Sequence, residues 1–259
     1  MKPAPFDYAA PRSLDEALAL LDDDARVLAG GQSLVPLLNL RLARPARVVD
    51  INRIEGLGVL RRSEGTLRIG ATVRQAALER SPLVTQRWPL LAQALRHVGH
   101  AATRARGTVA GSAAHADPAA QLPVALLALG AHFELRSAAG SRTLVADDFF
   151  LGPHTTAIEP GELLTEIRVP PLKIGARTAF AEYARTRGDF PLAAAAVVLA
   201  RGHAAVATLG PVRATRAEAA LMDGASAREA GALAGVGDGH GRTLVEELTR
   251  RALVQAGRA

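Results

Sequence analysis

The stretch Arg26-Val27-Leu28-Ala29-Gly30-Gly31-Gln32-Ser33-Leu34 begins as a β-strand and ends as a helix, with two adjacent glycines at the change. Arg26 to Leu28 is the strand. Helical spacing is predicted from Leu34 to Leu42, and Arg47-Val48-Val49-Asp50-Ile51 reads as a second strand. Together they form a β–loop–α–β unit, compact enough for a crossover of about fifty residues. Ahead of it, Ser13-Leu14-Asp15-Glu16 matches a capping box, with Leu14, Ala17, Leu18 and Leu21 at helical spacing. Strand and helix signals keep mixing along the chain, which predicts an α/β or α+β architecture.

The loop itself carries chemistry. Adjacent glycines permit positive φ and leave backbone N–H groups unscreened by side chains. Bare N–H groups leading into a helix form an anion site suited to a pyrophosphate, and Ser33 adds a hydroxyl donor. For a lone Gly-Gly-x-Ser, a tight turn with an N-cap is the plainer reading. A second stretch, Gly107-Thr108-Val109-Ala110-Gly111-Ser112 followed by Ala113-Ala114-His115-Ala116-Asp117-Pro118, repeats the small residues and hydroxyls. It reads as a loop ahead of a helix. Two such loops can hold the two phosphates of a dinucleotide between them.

Rival motifs are missing. No G-x-G-x-x-G follows the first strand, and no G-x-x-x-x-G-K-[ST] occurs. Gly31-Gln32-Ser33-Leu34-Val35 lacks the closing glycine of a nucleophile elbow. His97, His100, His115 and Asp117 hint at a metal, but no Glu or third His stands at zincin spacing. No metal ligand and no catalytic acid or base is assigned.

Further along, Leu67 to Gly70 is a strand, and Thr72-Val73-Arg74-Gln75 predicts a second capping box opening a helix. Trp88 to Val98 reads as a helix ending at Gly99. Arg104 to Pro118 lacks apolar periodicity, and Ala119 to Leu129 is helical up to Gly130. Strands follow at His132 to Arg136, Arg142 to Val145 and Leu163 to Val169. Pro170-Pro171 marks a boundary. Beyond it come three β-like segments (Ala179 to Ala184, Leu192 to Ala200, Ala204 to Leu209) and two helices (Arg216 to Met222, Thr243 to Ala256). Gly231 to Gly241 is Gly-rich and reads as a mobile loop.

Composition narrows the function. The 259 residues are 49% hydrophobic but only 3% aromatic, so Ala, Leu and Val must fill the core. The formal charge is +6, carried almost wholly by scattered arginines, with Lys2 and Lys173 the only lysines. A basic stripe interleaved with aromatics, as nucleic-acid binding requires, is not visible. Without cysteine the chain has no disulfide and no thiolate ligand for an iron–sulfur cluster. The Met1-Lys2-Pro3-Ala4-Pro5 start has no apolar signal core, and the longest apolar run, Pro191 to Ala200, is strand-sized. A cytoplasmic chain without membrane insertion is expected.

On these residues the chain resembles the FAD-binding medium subunit of the molybdenum hydroxylases, the family of xanthine dehydrogenase and aerobic carbon monoxide dehydrogenase. The strongest matches are Leu28-Ala29-Gly30-Gly31-Gln32-Ser33-Leu34 and Arg106-Gly107-Thr108-Val109-Ala110-Gly111-Ser112. Supporting matches are Ala116-Asp117-Pro118-Ala119, Glu159 to Ile167, and Arg187-Gly188-Asp189-Phe190, so the resemblance spans nearly the whole chain. It implies an α+β, para-cresol-methylhydroxylase-type FAD-binding fold. Two α+β subdomains (residues 1–55 and 56–171) would clasp an extended FAD. A C-terminal domain (172–259) of a three-stranded antiparallel sheet with helices would pack beside them.

By the same resemblance, Ala29 to Ser33 and Thr108 to Ser112 wrap the pyrophosphate and ribityl chain, flanked by Val27, Leu28, Leu34, Val98, Asp117 and Gln121. Leu164 would lie against the flavin, and Glu182 and Asp189 near its ring or adenosine. A buried strand residue is the alternative for Leu164, and a solvated strand edge for Glu182 and Asp189. Three positions depart from the family pattern: Gln32 where relatives often have His, Ala110 in a usual Gly-Gly pair, and Gln121 where many carry an acid.

The implied function is electron transfer. A large subunit would hold the molybdenum cofactor and the substrate site, and a small subunit two 2Fe-2S clusters. This chain would pass electrons through FAD to an external acceptor, in a dimer of heterotrimers. The absence of cysteine here matches that division. The alternative is a stand-alone FAD-dependent reductase or oxidase of the same fold superfamily, which would need its own substrate-side acid.

Overall fold

The computed structural model describes residues 2–258. Its first part is a small parallel sheet. The strands β1 (Asp7–Ala9), β2 (Ala25–Leu28) and β3 (Arg47–Asp50) pair in the order β1-β3-β2, with helices α1 (Leu14–Leu18) and α2 (Leu34–Asn39) between them. Ser13 caps α1 as expected, accepting from Glu16 N while the Glu16 carboxylate accepts from the Ser13 N–H. Helix α2 is shorter than the predicted Leu34–Leu42. Its apolar spacing continues, but Arg41 turns left-handed (φ 59°) and Leu42 is left in solvent.

The second part is larger. It runs through β4 (Leu60–Ser63), β5 (Thr66–Gly70), α3 (Gln75–Arg80), α4 (Pro82–Arg87), α5 (Pro89–Leu95), α6 (Ala101–Arg106), α7 (Val109–His115) and α8 (Gln121–Ala128). It continues with β6 (His132–Ser137), β7 (Gly140–Val145), α9 (Ala146–Phe149), β8 (Phe150–Gly152), β9 (Thr155–Thr156) and β10 (Leu163–Val169). Five of these strands form an antiparallel sheet, β4-β5-β10-β6-β7. Every residue of α8 is buried, the mark of a helix running through the middle of a core rather than along its edge.

Three expectations for this part need correction. Thr72 does not cap α3; Arg74 is the N-cap residue and makes no side-chain cap. The N-terminal amide of α3 is satisfied from far along the chain instead, Gln75 N donating to Gly107 O at 2.8 Å. Trp88 to Val98 is not one helix. Pro89 starts α5 afresh, it stops at Leu95, and Gly99 (φ 45°) turns the chain three residues past its C-cap, Arg96. The segment 104–118 is largely helical, carrying the end of α6 and all of α7, because Ala, Gly and Ser pack as a helix without any apolar periodicity to announce it.

The third part pairs β11 (Arg177–Tyr183), β12 (Ala193–Ala200), β13 (His203–Thr208) and β14 (Val212–Arg213) in that order, all antiparallel. The two-residue β14 extends the expected three strands. Helices α10 (Thr215–Met222), α11 (Ala227–Leu233) and α12 (Gly239–Gln255) cover one face. Helix α11 lies partly inside the stretch read as a Gly-rich loop. Ser226 and Glu229 cap it reciprocally, and Gly231 is pressed against α12, where a Cβ would meet Glu246 O at 2.9 Å. Along β12, Ala194, Ala196 and Val198 join the core of the second part, while Ala193, Ala195 and Val197 face the helices of the third. A sheet buried on both faces explains the unbroken apolar run Ala193–Ala200.

Candidate functional site

The two small-residue stretches meet. A Cβ built on Gly30 would lie 2.6 Å from Arg106 O, 2.7 Å from Gly107 Cα and 2.9 Å from Thr108 N. Only glycine allows that approach. Gly31 is needed for another reason: its φ of +71° lies in the left-handed region. Between and beside these loops runs a cleft of about 990 Å³, at the upper end of the range for small-molecule sites.

Hydrogen bonding gives the loops their polarity. Four of the carbonyls are occupied: Ala29 O accepts from Asn52 Nδ2 (2.8 Å), Gly31 O from Val35 N (3.0 Å), Gly107 O from Gln75 N (2.8 Å) and Ser33 O from Leu37 N (3.2 Å). The N–H groups of Gly30, Gly31, Gln32, Ser33, Thr108 and Ala110 donate to no acceptor among the described residues. Ser33 spends no side-chain bond on capping α2. Thr108 does cap α7, its Oγ1 accepting from Gly111 N at 3.0 Å. Free N–H groups with paired carbonyls make a cradle for an anion.

Most of the expected residues line this cleft: Val27, Ala29, Gly30, Gly31, Gln32, Ser33, Leu34, Val98, Thr108, Ala110, Gly111, Ser112, Asp117, Gln121, Leu164 and Asp189. Three do not. Leu28 lines a smaller hollow of about 350 Å³ that shares Ala29 to Gln32 with the main cleft. Val109 is fully buried, and its N–H is taken by Val73 O at 3.1 Å. The Glu182 side chain is 7% exposed and is turned inward, near His97 Nδ1 (3.0 Å) and Gln121 Nε2 (3.0 Å). It is neither a solvated strand edge nor a wall of the cleft.

Two departures from the family pattern acquire a local explanation. Ala110 sits in α7 with negative φ and is buried, so its methyl is core rather than obstruction. Gln121 donates to the buried Glu182, a bond that an acid at 121 would forfeit. Leu164 is both buried and cleft-lining. A register shift between Leu164 and Glu166 breaks the strict alternation of β10, and Leu163 and Leu164 both reach the cleft wall.

Sequence reading missed several neighbours. Gln75 lines the cleft with its Oε1 buried and unpartnered among the described residues. Glu162 lines it too, with its carboxyl held below the usual range by Arg142. His115, Asp117 and His154 gather on the wall, their ligand-type atoms within 4.8 Å of one another. Burial and the facing His154 push the His115 pKa down. His154 was invisible beforehand because 39 residues separate it from His115. Phe190 and Arg185, on the loop after β11, also line the cleft.

Residues 4–172 match the family described as FAD binding domain in molybdopterin dehydrogenase. The chain belongs to that family. Within it, the nicotine 6-hydroxylase medium subunit of Paenarthrobacter nicotinovorans is 36% identical, covering 99% of each chain. The carbon monoxide dehydrogenase medium chain of Hydrogenophaga pseudoflava is 43% identical over 77% of this chain and 70% of its own length. Among solved structures, carbon monoxide dehydrogenase from Hydrogenophaga pseudoflava superposes with a TM-score of 0.93 at 38% identity, over 99% of this chain and 98% of that one. Quinoline 2-oxidoreductase from Pseudomonas putida 86 gives 0.90 at 35% identity, over 99% and 98%. Membership extends past the 4–172 match, since these relatives cover the third part as well. Among the described residues no helix is long and apolar enough to cross a membrane.

As a member of this FAD-binding family the chain takes FAD, and its cleft fits the cofactor. The unpaired N–H groups of both loops suit a diphosphate, and the apolar Val27, Val98, Leu163 and Leu164 suit a flat ring. The buried Gln75 Oε1 lacks only a donor.

Proposed function

We propose that this chain is the electron-transfer subunit of a molybdenum hydroxylase complex, holding one FAD in the cleft between its two small-residue loops. The observation that carries the reading is the approach of Gly30 to Gly107 and Thr108, which brings the free N–H groups of both loops to one cleft. Ala29 to Ser33 and Thr108 to Ser112 would hold the diphosphate and ribityl chain, with Asp117 and Gln121 beside them and Leu164 against the ring. FAD, when bound, supplies the redox chemistry, taking electrons from 2Fe-2S clusters of a small partner and releasing them to an external acceptor. The chain's residues bind, orient and shield the cofactor, and none is cast as an acid or base toward an organic substrate.

The molybdenum cofactor and substrate site are assigned to a large partner subunit, the assembly to a dimer of heterotrimers, and the location to the cytoplasm. The divisions 1–55, 56–171 and 172–259 each hold one of the three larger sheets and are proposed as its domains. Relatives named as medium subunits or medium chains support a multi-subunit setting.

The test is purification from the native host at low and high salt, with flavin and metal analysis. A cysteine-rich iron–sulfur chain and a molybdenum-containing chain should co-purify, and the isolated chain should pass electrons from artificial donors to dyes while oxidising no organic substrate. Recovery of the chain alone, fully active on a defined substrate without molybdenum or iron, would overturn the proposal in favour of a stand-alone flavoenzyme.

A further inference from the structure

Beside the two loops, four polar side chains form a continuous hydrogen-bonded chain. Tyr8 Oη donates to Asp50 Oδ2 at 2.6 Å. Asp50 Oδ1 accepts from Asn52 N (2.9 Å) and Asn52 Nδ2 (2.6 Å). The same Asn52 amide nitrogen donates to Ala29 O of the first loop (2.8 Å). Asn52 Oδ1 accepts from Arg74 Nη2 (2.6 Å), and Arg74 Nη1 donates to Arg106 O of the second loop. Arg106 O is also the carbonyl against which Gly30 is pressed. That oxygen is therefore fixed from both sides, by the missing side chain of Gly30 and by the Arg74 guanidinium.

We infer that Arg74, acting through Asn52, is a positioning residue for FAD: it ties the Ala29 carbonyl to the Arg106 carbonyl and so sets the spacing of the two diphosphate loops. The inference rests on the reading that these loops hold the diphosphate. Sequence separation makes the tie worth having. Asn52 follows the first sheet, Arg74 is the N-cap residue of α3, and Arg106 ends α6, so nothing local keeps these three in register. The bridge uses both amino arms of one guanidinium, a geometry that an ammonium cannot reproduce. Three further contacts hold the same strip of chain, Gln75 N to Gly107 O, Val109 N to Val73 O and Gln75 Nε2 to Thr108 O, so removing the bridge loosens the second loop without detaching it.

Equilibrium FAD titration of the full chain after flavin removal tests this, with affinity expressed per folded chain. Arg74→Ala and Asn52→Ala should each weaken FAD by about tenfold, as expected for one lost hydrogen bond to a charged group. The double variant should lose no more than the worse single, because both act through one bridge. Arg74→Lys should fail to restore affinity, and the loss should persist in roughly 0.5 M salt, where exposed through-space charge effects are screened. Unchanged affinity in Arg74→Ala, additive losses in the double variant, or full rescue by lysine would each overturn the inference. A merely structural role would lower the melting temperature and leave affinity per folded chain alone, which counts against it equally. If Arg74→Ala does not fold, the exposed Asn52 supplies the comparison by itself. Wild-type chain that takes up no FAD would sink the underlying loop reading, whereas loss of FAD in Gly30→Ala with normal binding in Arg74→Ala would sink only the positioning role.

Discussion

Gly107 occupies the space that a side chain on Gly30 would need: a Cβ there would fall 2.7 Å from Gly107 Cα. Residues 77 apart in sequence are thereby brought closer than any other residue type permits, and the FAD cleft is the gap left beside that contact.

Gly30→Ala should therefore force the loops apart. The clash is with backbone atoms, which cannot swing aside as a flexible side chain would. Overpacking of this kind costs about 1–3 kcal/mol, and FAD affinity should fall along with stability. Urea denaturation and FAD titration of the same variant check both halves. A variant with wild-type affinity would mean that the loops need not touch for binding.

Gln121→Glu should destabilise this chain. Glu182 is 7% exposed and accepts from Gln121 Nε2 at 3.0 Å. A second carboxylate would take the donor from Glu182 Oε2, leaving that oxygen unpaired beside the His97 contact, and add like charge, at a cost of about 1–3 kcal/mol. Gln121→Glu combined with Glu182→Gln should recover most of the loss. Thermal melts of the three variants decide it, and a stable single variant would show that Glu182 does not depend on Gln121.

The Arg142–Glu162 pair should give the chain an acid-sensitive anchor beside the cleft. Arg142 donates to both oxygens of Glu162 (2.7 and 2.8 Å), and this bond is the main reason the Glu162 carboxyl is held below its ordinary value of 4.5. A depressed carboxyl stabilises the fold above its unfolded value, and that contribution disappears as pH falls through the lower folded value. Melting temperatures of wild type and Glu162→Gln should differ near neutral pH and converge in acid below 4.5. Parallel curves at all pH values would contradict the assignment.

Much of this arrangement was legible in the chain before folding. The apolar runs at Val27-Leu28, Val48-Val49 and Leu163 to Val169 declared their strands because β-branched and leucine residues crowd them. Both glycine loops announced themselves by composition. Helix α7 did not, since Val109–His115 is built of small residues with no apolar stripe. Strand β4 was hidden by its paired arginines, Arg61 and Arg62. Thr72 looked like a cap because the spacing was right, yet the acceptor for Gln75 N was Gly107 O, 32 residues downstream. The Gln121–Glu182 and Arg74–Asn52 contacts were likewise beyond local pattern, because each depends on where separate elements dock.

What the two loops hold decides the role of the chain. Purified chain, denatured and analysed for released flavin against protein concentration, should yield one FAD per chain, because two rows of free N–H groups suit the two phosphates of a dinucleotide. Release of FMN, or of no flavin after reconstitution with excess FAD, would contradict it.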